Sequence, residues 1–328
     1  MNDQLSGPNG KTLASLVQPT DGGVRYVFFS GKGGVGKTTM AASTAVWLAD
    51  QGWNTLIVST DLQKSLNDIF EQETVGDETP VRGVANLKAK SIETAESLQR
   101  HRAMMIKTLE LIEPGSPIIK MIELDKGTDC GCAQAALFEF GDYLKNSRSY
   151  DVVVFDTAPV GSTLEKIMNQ TNYTLSLTAQ LEAKKQMAGA LSQVIMRSQI
   201  QELEEMKLDE DRALANLRSD KTSFLMVMIP EAMPLAELER DIPILEGTYQ
   251  IPVRGILVNN TLPEAERGVS AFWRTRWAMQ SKYIEITHHK FTDRVVTEVP
   301  LLESEAVGIE RLRRVGHALF EKSIPVTA

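Results

Sequence analysis

One nine-residue segment, G-K-G-G-V-G-K-T-T at 31–39, constrains the fold of this chain more than any other. It follows an apolar run at 24–30 and precedes an amphipathic stretch at 40–50. A buried strand, a glycine loop and a helix in that order make a G-x-x-x-x-G-K-[ST] match a predicted phosphate-binding loop. The alternative, a chance glycine turn, is disfavoured by this flanking pattern.

The residues of this loop have the chemistry that a nucleoside triphosphate requires. Glycines let backbone N–H groups surround an oxyanion, and the helix N-terminus adds its positive end. We expect Lys37 to reach the β- and γ-phosphates of ATP and the Thr38 hydroxyl to hold Mg²⁺. Lys32, at the start of the loop, is a second cation that the chain's own nucleotide does not need. The predicted nucleotide-binding residues of the loop are Gly31, Gly33, Gly34, Val35, Gly36, Lys37, Thr38 and Thr39.

The composition excludes several classes of protein. The 328 residues carry 43 acidic and 35 basic side chains, a net charge of −8, which argues against a nucleic-acid partner. Two cysteines are too few for a secreted disulfide framework, and no apolar run approaches the roughly 20 residues of a membrane span. Residues 1–23 lack the apolar stretch of a secretion signal and are predicted to form a flexible tail. We therefore expect a cytoplasmic protein that meets a membrane only through a partner.

The spacing of apolar runs predicts an α/β fold with a doubly wound, mostly parallel sheet. Runs at 25–30, 54–60, 151–156, 173–177, 222–229 and 255–259 have the length and character of buried parallel strands. Helical stretches separate most of them. Segments at about 92–148 and 180–220 are longer than a crossover needs and are rich in helix formers, so they predict a helical subdomain inserted in a single ATPase domain at 24–328. No second glycine loop appears, so we do not expect an internal duplication.

Two aspartates end predicted strands and should face the glycine loop. Asp156 follows the apolar run 152–155, and Asp61 follows 54–60. Ligands of open α/β sheets bind at the carboxyl ends of the strands. Asp156 is therefore the candidate for holding Mg²⁺, and Asp61 for orienting or deprotonating the attacking water. A second reading of Asp61, as the cap of the next helix, stays open.

Three further polar residues have two readings each. Asn259 ends a later strand at the same sheet edge, where its amide is suited to reading adenine; a plain turn is the alternative. Cys130 and Cys132 are separated by one residue and precede a helical stretch, whose dipole favours thiolates. Two thiolates can chelate one soft ion, so the clustered cysteines indicate a ligand or redox role. The alternative is a pair of ordinary thiols.

Considered together, these residues resemble the family of the arsenical-pump ATPase (ArsA) and the tail-anchored-protein targeting ATPase of the GET pathway, which have a deviant Walker A loop. The glycine loop matches the family's G-K-G-G-V-G-K-T-T, and D-T-A-P at 156–159 matches its switch II. S-T-D at 59–61 begins its switch I. V-P-L-L at 299–302 resembles the loop that packs on adenine, which implies a contact from Pro300.

The resemblance implies a homodimer that closes around two ATP molecules and opens after hydrolysis. In such a dimer Lys32 reaches the nucleotide of the partner subunit, and Asp61 activates the water. The chain also departs from the family: 62–64 read Leu-Gln-Lys in switch I, Ser162 replaces a switch II histidine, and Ser270 and Trp273 stand where the targeting ATPase commonly has zinc-binding cysteines.

Two functions fit this resemblance. In the first, As(III) or Sb(III) bridges Cys130 and Cys132 across the dimer, stimulates ATP hydrolysis and so energises a membrane efflux permease. In the second, the chain is a chaperone that carries tail-anchored membrane proteins in an apolar groove. The acidic character of 202–211 favours the first, because a groove for an apolar helix needs an exposed apolar surface.

Overall fold

A computed structural model of the chain describes residues 10–19, 23–59, 65–74, 78–91, 95–112, 114–124, 141–145, 149–157, 178–186 and 192–321. Its strands are β1 (Arg25–Gly31), β2 (Thr55–Ser59), β3 (Thr79–Pro80), β4 (Leu87–Ser91), β5 (Val152–Asp156), β6 (Thr222–Met228), β7 (Val253–Thr261) and β8 (Val295–Pro300). Its helices are α1 (Leu13–Val17), α2 (Lys37–Asp50), α3 (Ser65–Phe70), α4 (Ala95–Ile112), α5 (Pro117–Leu124), α6 (Ser192–Arg218), α7 (Ala232–Pro243), α8 (Ala271–Lys290) and α9 (Ile309–Phe320). Shorter helical segments cover 141–145 and 178–186.

Within this described part, eight strands form one sheet in the order β3-β4-β2-β5-β1-β6-β7-β8. All neighbouring strands are parallel except β3 and β4. The strand order runs outward in both directions from β1, so the predicted doubly wound, mostly parallel α/β fold is confirmed. Five predicted strands are present as β1, β2, β5, β6 and β7; the predicted strand at 173–177 lies outside the described residues.

The centre of the sheet is buried on both faces, because helices cover each face of a parallel sheet. Every residue of β1, β2, β5 and β6 is buried. Phe28 of β1 stacks on Phe155 of β5 with 4.4 Å between ring centroids, and on Phe224 of β6 at 5.4 Å. The register places these three rings side by side across adjacent strands. This row of aromatic rings crosses the three central strands of the sheet, and Phe28 lies three residues before the end of β1.

The helix that follows the glycine loop, α2, is buried along nearly its whole length. Helix α9 packs against it at Gly316, where an added Cβ would come 3.0 Å from both the Ser43 carbonyl oxygen and the Trp47 Cβ. The ring of Phe320 stacks on Trp47 with 4.3 Å between centroids. The Arg313 guanidinium also reaches the Asp50 carboxylate, with Nε 2.8 Å from Oδ2. Close packing and an ion pair therefore hold α9 on α2.

The chain folds into two compact units. The first comprises Met1–Ser91, Arg148–Thr163 and Arg218–Ala328, and contains the sheet. The second comprises Ile92–Ser147 and Leu164–Leu217, and its described elements are helical.

An apolar cluster and a buried ion pair stabilise the second unit. Leu111, Leu181 and Leu203 form the cluster. The Lys145 ammonium donates to the Glu210 carboxylate, and both side chains are almost completely buried, at 3% and 2% exposure. Burial raises the pKa of Glu210 above its usual value, although Lys145 opposes that shift. The pair therefore needs both partners, since a lone charge at this depth is strongly unfavourable.

Across the part of the chain that the structure describes, no helix has both the length and the apolar character needed to cross a membrane.

Candidate functional site

The glycine loop connects the end of β1 to the start of α2, and two of its glycines are required by their surroundings. Gly31 has φ +148°, and a Cβ there would lie 2.1 Å from the Val227 carbonyl oxygen of neighbouring β6. Gly36 has φ +95°, and a Cβ there would lie 2.4 Å from Asn259 Nδ2. No other residue type fits either position without displacing its neighbour, so these glycines fix the path of the loop.

The tip of the glycine loop is exposed, whereas the residues that follow the tip are mostly buried. Gly33 and Gly34 are exposed, whereas Val35 is buried. Lys37, the first residue of α2, is buried, and its ammonium donates to the Lys32 carbonyl oxygen at 3.1 Å. The Lys37 side chain therefore folds back over the loop, as expected for a lysine that shares an anion with backbone N–H groups.

Thr38 and Asp156 meet beside the loop. The Thr38 hydroxyl donates to Asp156 Oδ2 at 2.9 Å, although the two residues are 118 positions apart in sequence. The Ser59 hydroxyl, at the end of β2, donates to the same oxygen at 3.3 Å. Ser59 and Asp156 end the neighbouring strands β2 and β5, and Thr38 lies in the first turn of α2. The three side chains therefore meet at the edge of the sheet formed by the carboxyl ends of the strands. Thr39, the next residue of α2, is half-buried.

The donor set at this point suits Mg²⁺. The ion prefers oxygen ligands, keeps several waters and takes one or two carboxylates together with substrate phosphates. Thr38 supplies a hydroxyl and Asp156 a buried carboxylate at the mouth of the glycine loop. Among the described residues there is no group of three or more His, Cys, Asp or Glu side chains that resembles a closed metal site. The chemistry of the pair therefore fits an open Mg²⁺ site that a nucleotide completes.

Asn259 lies against the glycine loop as well as at the end of β7. Its side chain is buried, and its Nδ2 donates to the Val35 carbonyl oxygen at 2.9 Å. One amide hydrogen of the residue that we expected to read adenine is thus committed to the loop. Sequence reasoning missed this tether because the partner atom is a backbone carbonyl 224 positions away.

Pro300 ends β8, the edge strand next to β7. The register pairs it with Thr261, and the following residue, Leu301, donates its N–H to the Thr261 carbonyl oxygen at 2.8 Å. Pro300 is half-buried, and Leu301 is 43% exposed. The segment therefore lies at the same edge of the sheet as Asn259.

Lys32 has a partner in its own chain. Its ammonium lies 3.7 Å from Glu237 Oε1 of α7, and both side chains are about two-thirds buried, with 35% and 27% exposure. No sequence pattern indicates Glu237 as a partner of Lys32, because it is an ordinary charged position of an amphipathic helix. Asp61, Cys130 and Cys132, the remaining predicted site residues, lie outside the described residues.

Comparisons with known proteins agree with this geometry. The family model described as "Anion-transporting ATPase" matches residues 24–321. A protein of Halobacterium salinarum named as an arsenical pump-driving ATPase is 32% identical over 307 residues, which are 93% of this chain and 45% of that protein. A second protein with that name, from Aquifex aeolicus, is 30% identical over 312 residues, 92% of this chain and 100% of the relative. ATPase GET3A of Arabidopsis thaliana is 29% identical over 322 residues, 93% of this chain and 86% of the relative. The chain thus spans less than half of the first of these relatives and the whole of the second.

Proposed function

Because this chain belongs to the anion-transporting ATPase family and is an ATPase, we propose that it acts as a homodimeric switch driven by ATP hydrolysis. In this proposal two copies face each other at the glycine-loop edges of their sheets, and As(III) or Sb(III) favours the closed arrangement. The dimer works in the cytoplasm and energises a membrane efflux permease. The helical unit is the subdomain of the single ATPase domain that carries the metalloid site.

The observation that carries the ATP site is the contact between Thr38 and Asp156. Their oxygens lie 2.9 Å apart at the mouth of a loop in which Gly33 and Gly34 are exposed, and backbone N–H groups of such a glycine loop bind phosphate. Mg²⁺ bound there with ATP supplies positive charge to the β- and γ-phosphates. Lys37 adds a cation from the N-terminus of α2, where the helix dipole also favours the anion. We assign nucleotide binding to these residues, and adenine binding to Asn259 and Pro300.

Hydrolysis needs a water in line with the γ-phosphate and a further positive charge. In our proposal Asp61 orients that water and accepts its proton. Lys32 leaves Glu237 and stabilises the γ-phosphate held by the partner subunit. Because this second cation comes from another chain, ATP hydrolysis depends on dimer closure.

The metalloid acts at Cys130 and Cys132. Two thiolates from each of two chains offer up to four soft ligands to one ion, and thiolates select soft ions. Such a ligand changes the equilibrium only if it binds the closed dimer better than the open one. Arsenite therefore stimulates hydrolysis by raising the fraction of closed dimers, with the chemical step itself unchanged.

The double substitution Cys130→Ser/Cys132→Ser tests this proposal. We expect arsenite to stimulate ATP turnover of the reduced protein and to leave the double variant at its basal rate, which stays close to that of the unsubstituted protein. Arsenate is the ligand control, because it is an oxyanion without the thiol affinity of arsenite. Equal stimulation of both proteins, or none of either, would contradict the metalloid site.

A second candidate function is the targeting of tail-anchored membrane proteins, and the name GET3A of the Arabidopsis relative favours it. It predicts that the chain co-purifies with a co-expressed protein that has a single C-terminal apolar helix, in an ATP-dependent manner. Arsenite should then leave turnover unchanged. Binding of such a client together with an unresponsive ATPase would replace the metalloid proposal, whereas arsenite stimulation without client binding would exclude the second candidate.

A further inference from the structure

The carboxyl end of β7 contains a β-bulge beside the glycine loop. The register pairs Val258 of β7 with Glu298 of β8. The next pair is Thr261 with Pro300, so β7 takes three steps where β8 takes two. Within the bulge Asn260 has φ +57°, in the left-handed region that asparagine and glycine adopt more easily than other residues. A bulge interrupts the alternation of side chains along a strand and so redirects one of them, often next to a functional site.

Three consecutive residues of the bulge each contact a different element. The Asn259 side chain donates to a carbonyl oxygen of the glycine loop at 2.9 Å. The Asn260 carbonyl oxygen accepts from the side chain of Gln280, on α8, at 3.0 Å. The Thr261 hydroxyl donates to the Val299 carbonyl oxygen of β8 at 3.1 Å. The bulge therefore joins the glycine loop, α8 and β8.

Gln280 holds the bulge through both polar atoms of its amide. Its Nε2 donates to the Asn260 carbonyl oxygen, and its Oε1 accepts from the Leu262 N–H at 2.8 Å. A carbonyl can only accept and a backbone N–H can only donate, so only this orientation of the amide satisfies both groups. Gln280 is 5% exposed and Leu262 is 2% exposed. Loss of the amide would leave a buried backbone N–H without this partner, which is unfavourable.

The position of Asn259 depends on this bulge. Its side chain is buried, and it lies so close to the loop that a Cβ at Gly36 would come 2.4 Å from its Nδ2. Asn260 follows it directly in the chain. A change of the Asn260 backbone from the left-handed to the extended region turns the residues before it relative to those after it. The Asn259 amide would then move away from the loop.

We propose that Gln280 is a positioning residue of the nucleotide site, which fixes the bulge at Asn260 and so holds the Asn259 amide against the glycine loop. The inference rests on the proposed binding of nucleotide by the loop and Asn259. It adds that a buried residue of α8 controls nucleotide affinity by acting through Asn259. The effect of Gln280 therefore disappears when Asn259 has no amide.

Isothermal titration of a non-hydrolysable ATP analogue with Mg²⁺ tests the role of Gln280. Gln280→Met removes both bonds at nearly constant volume, and we expect it to weaken binding of the analogue about fivefold. Thr287→Val is the matched control, because Thr287 is buried on the same helix and its hydroxyl donates to the Tyr283 carbonyl oxygen at 2.8 Å. The control should bind the analogue normally. Unchanged affinity in Gln280→Met would overturn the proposal.

A double variant separates action through Asn259 from general damage to the fold. Gln280→Met/Asn259→Ala should bind the analogue no more weakly than Asn259→Ala alone, because Gln280 then has no amide to position. Additive losses would overturn the proposal. If the unsubstituted chain binds no nucleotide, or if Asn259→Ala changes no affinity, the proposed nucleotide site itself fails at that point. A loss in Asn259→Ala with none in Gln280→Met rejects only the role of Gln280.

Substitutions of Asn260 test the bulge with Gln280 left in place, and so guard against misfolding of the Gln280 variant. Asn260→Gly keeps easy access to positive φ, whereas Asn260→Val introduces a β-branched residue that disfavours it. We expect Asn260→Val to bind the analogue about fivefold more weakly than Asn260→Gly, a loss like that of Gln280→Met. Equal affinity in the two Asn260 variants would overturn the assigned role of the bulge.

Discussion

The Lys32 ammonium lies 3.7 Å from Glu237 Oε1, so the lysine that would serve a second copy is held by a carboxylate of its own chain. Both side chains retain about a third of their exposure, and pairs of this kind contribute about 0–1 kcal/mol. The contact is strong enough to set the resting position of Lys32 and weak enough for a γ-phosphate to displace it.

Removing the carboxylate should release Lys32. We expect Glu237→Gln to lower the half-saturating ATP concentration by up to about fivefold, the equivalent of ~1 kcal/mol. Glu239→Gln on the same helix is the control, because Glu239 pairs with Lys290. Turnover measured against ATP concentration checks the result. An effect of Glu237→Gln that persists in a Lys32→Ala background would show that it does not act through the lysine.

Gly31 should tolerate no side chain. An added Cβ would lie 2.1 Å from the Val227 carbonyl oxygen, so Gly31→Ala must separate β1 from β6 at the start of the loop. We expect a loss of about 3 kcal/mol or more in the free energy of unfolding, as for other severe steric changes. Gly52→Ala is the control, because Gly52 also has positive φ but has nothing within 4 Å of the added atom. It should cost only ~1 kcal/mol in urea denaturation. Equal losses would contradict the steric argument.

The Thr38 and Ser59 hydroxyls both donate to Asp156, but their removal should have different effects on ATP turnover. Thr38 lies at the start of α2, facing the loop, and we expect Thr38→Ala to reduce turnover by about 10² or more. The Ser59 hydroxyl orients the Asp156 carboxylate, so Ser59→Ala should raise the half-saturating Mg²⁺ concentration by ~10-fold and leave the maximal rate nearly unchanged. Mg²⁺ titrations at saturating ATP distinguish the two. The opposite ranking would place the ion next to β2.

Asn259 should affect both the loop and the base. Loss of the bond to Val35 in Asn259→Ala removes about 1 kcal/mol of support, or ~fivefold in affinity, for ATP and GTP alike. A further loss for ATP alone is expected if the side-chain oxygen accepts from adenine. Equilibrium binding of both nucleotides separates the contributions. Equal losses would limit Asn259 to the loop tether and leave adenine to other residues.

Breaking the buried ion pair between Lys145 and Glu210 should make the free energy of unfolding depend on pH. Lys145→Met leaves the Glu210 carboxylate buried without this cation, which typically costs about 3–5 kcal/mol. Burial already raises the pKa of Glu210, so acid lets it take up a proton, and the loss should be smaller at pH 5 than at pH 8. Lys207→Met breaks an exposed pair with Asp211 on the same helix and should cost little at either pH. A loss independent of pH would mean that packing and not charge is responsible.

The centre of the fold was predictable, and its edges were not. Strands β1, β2, β5 and β6 are continuous apolar runs because both of their faces are buried. Strand β4 alternates lysine with apolar residues, and β8 is an edge strand with a glutamate inside it. The composition of β4 and β8 therefore does not distinguish them from loop segments that mix polar and apolar residues. The two-residue strand β3 is too short to have any periodicity.

The same distinction holds for the site. The glycine loop was predictable from the apolar run before it and the amphipathic stretch after it, and Asp156 from the apolar run that it ends. Each of these patterns involves residues that are close together in the sequence. The Ser59 hydroxyl on Asp156, the Asn259 tether and the Glu237 pair each join positions that are 97 to 224 residues apart. No periodicity encodes such contacts, and only the strand order brings the residues together.

The burial of α2 limits where motion can arise. Sheet on one side and α9 on the other leave this helix no open face along which to slide, and Gly316 removes even the clearance of a methyl group. We therefore expect Lys37 and Thr38, at the start of α2, to keep their positions relative to the sheet during ATP turnover. Displacement driven by ATP is instead expected to appear in less enclosed helices such as α7, which carries Glu237, so a spectroscopic label on α7 should report the catalytic cycle and a label on α2 should not.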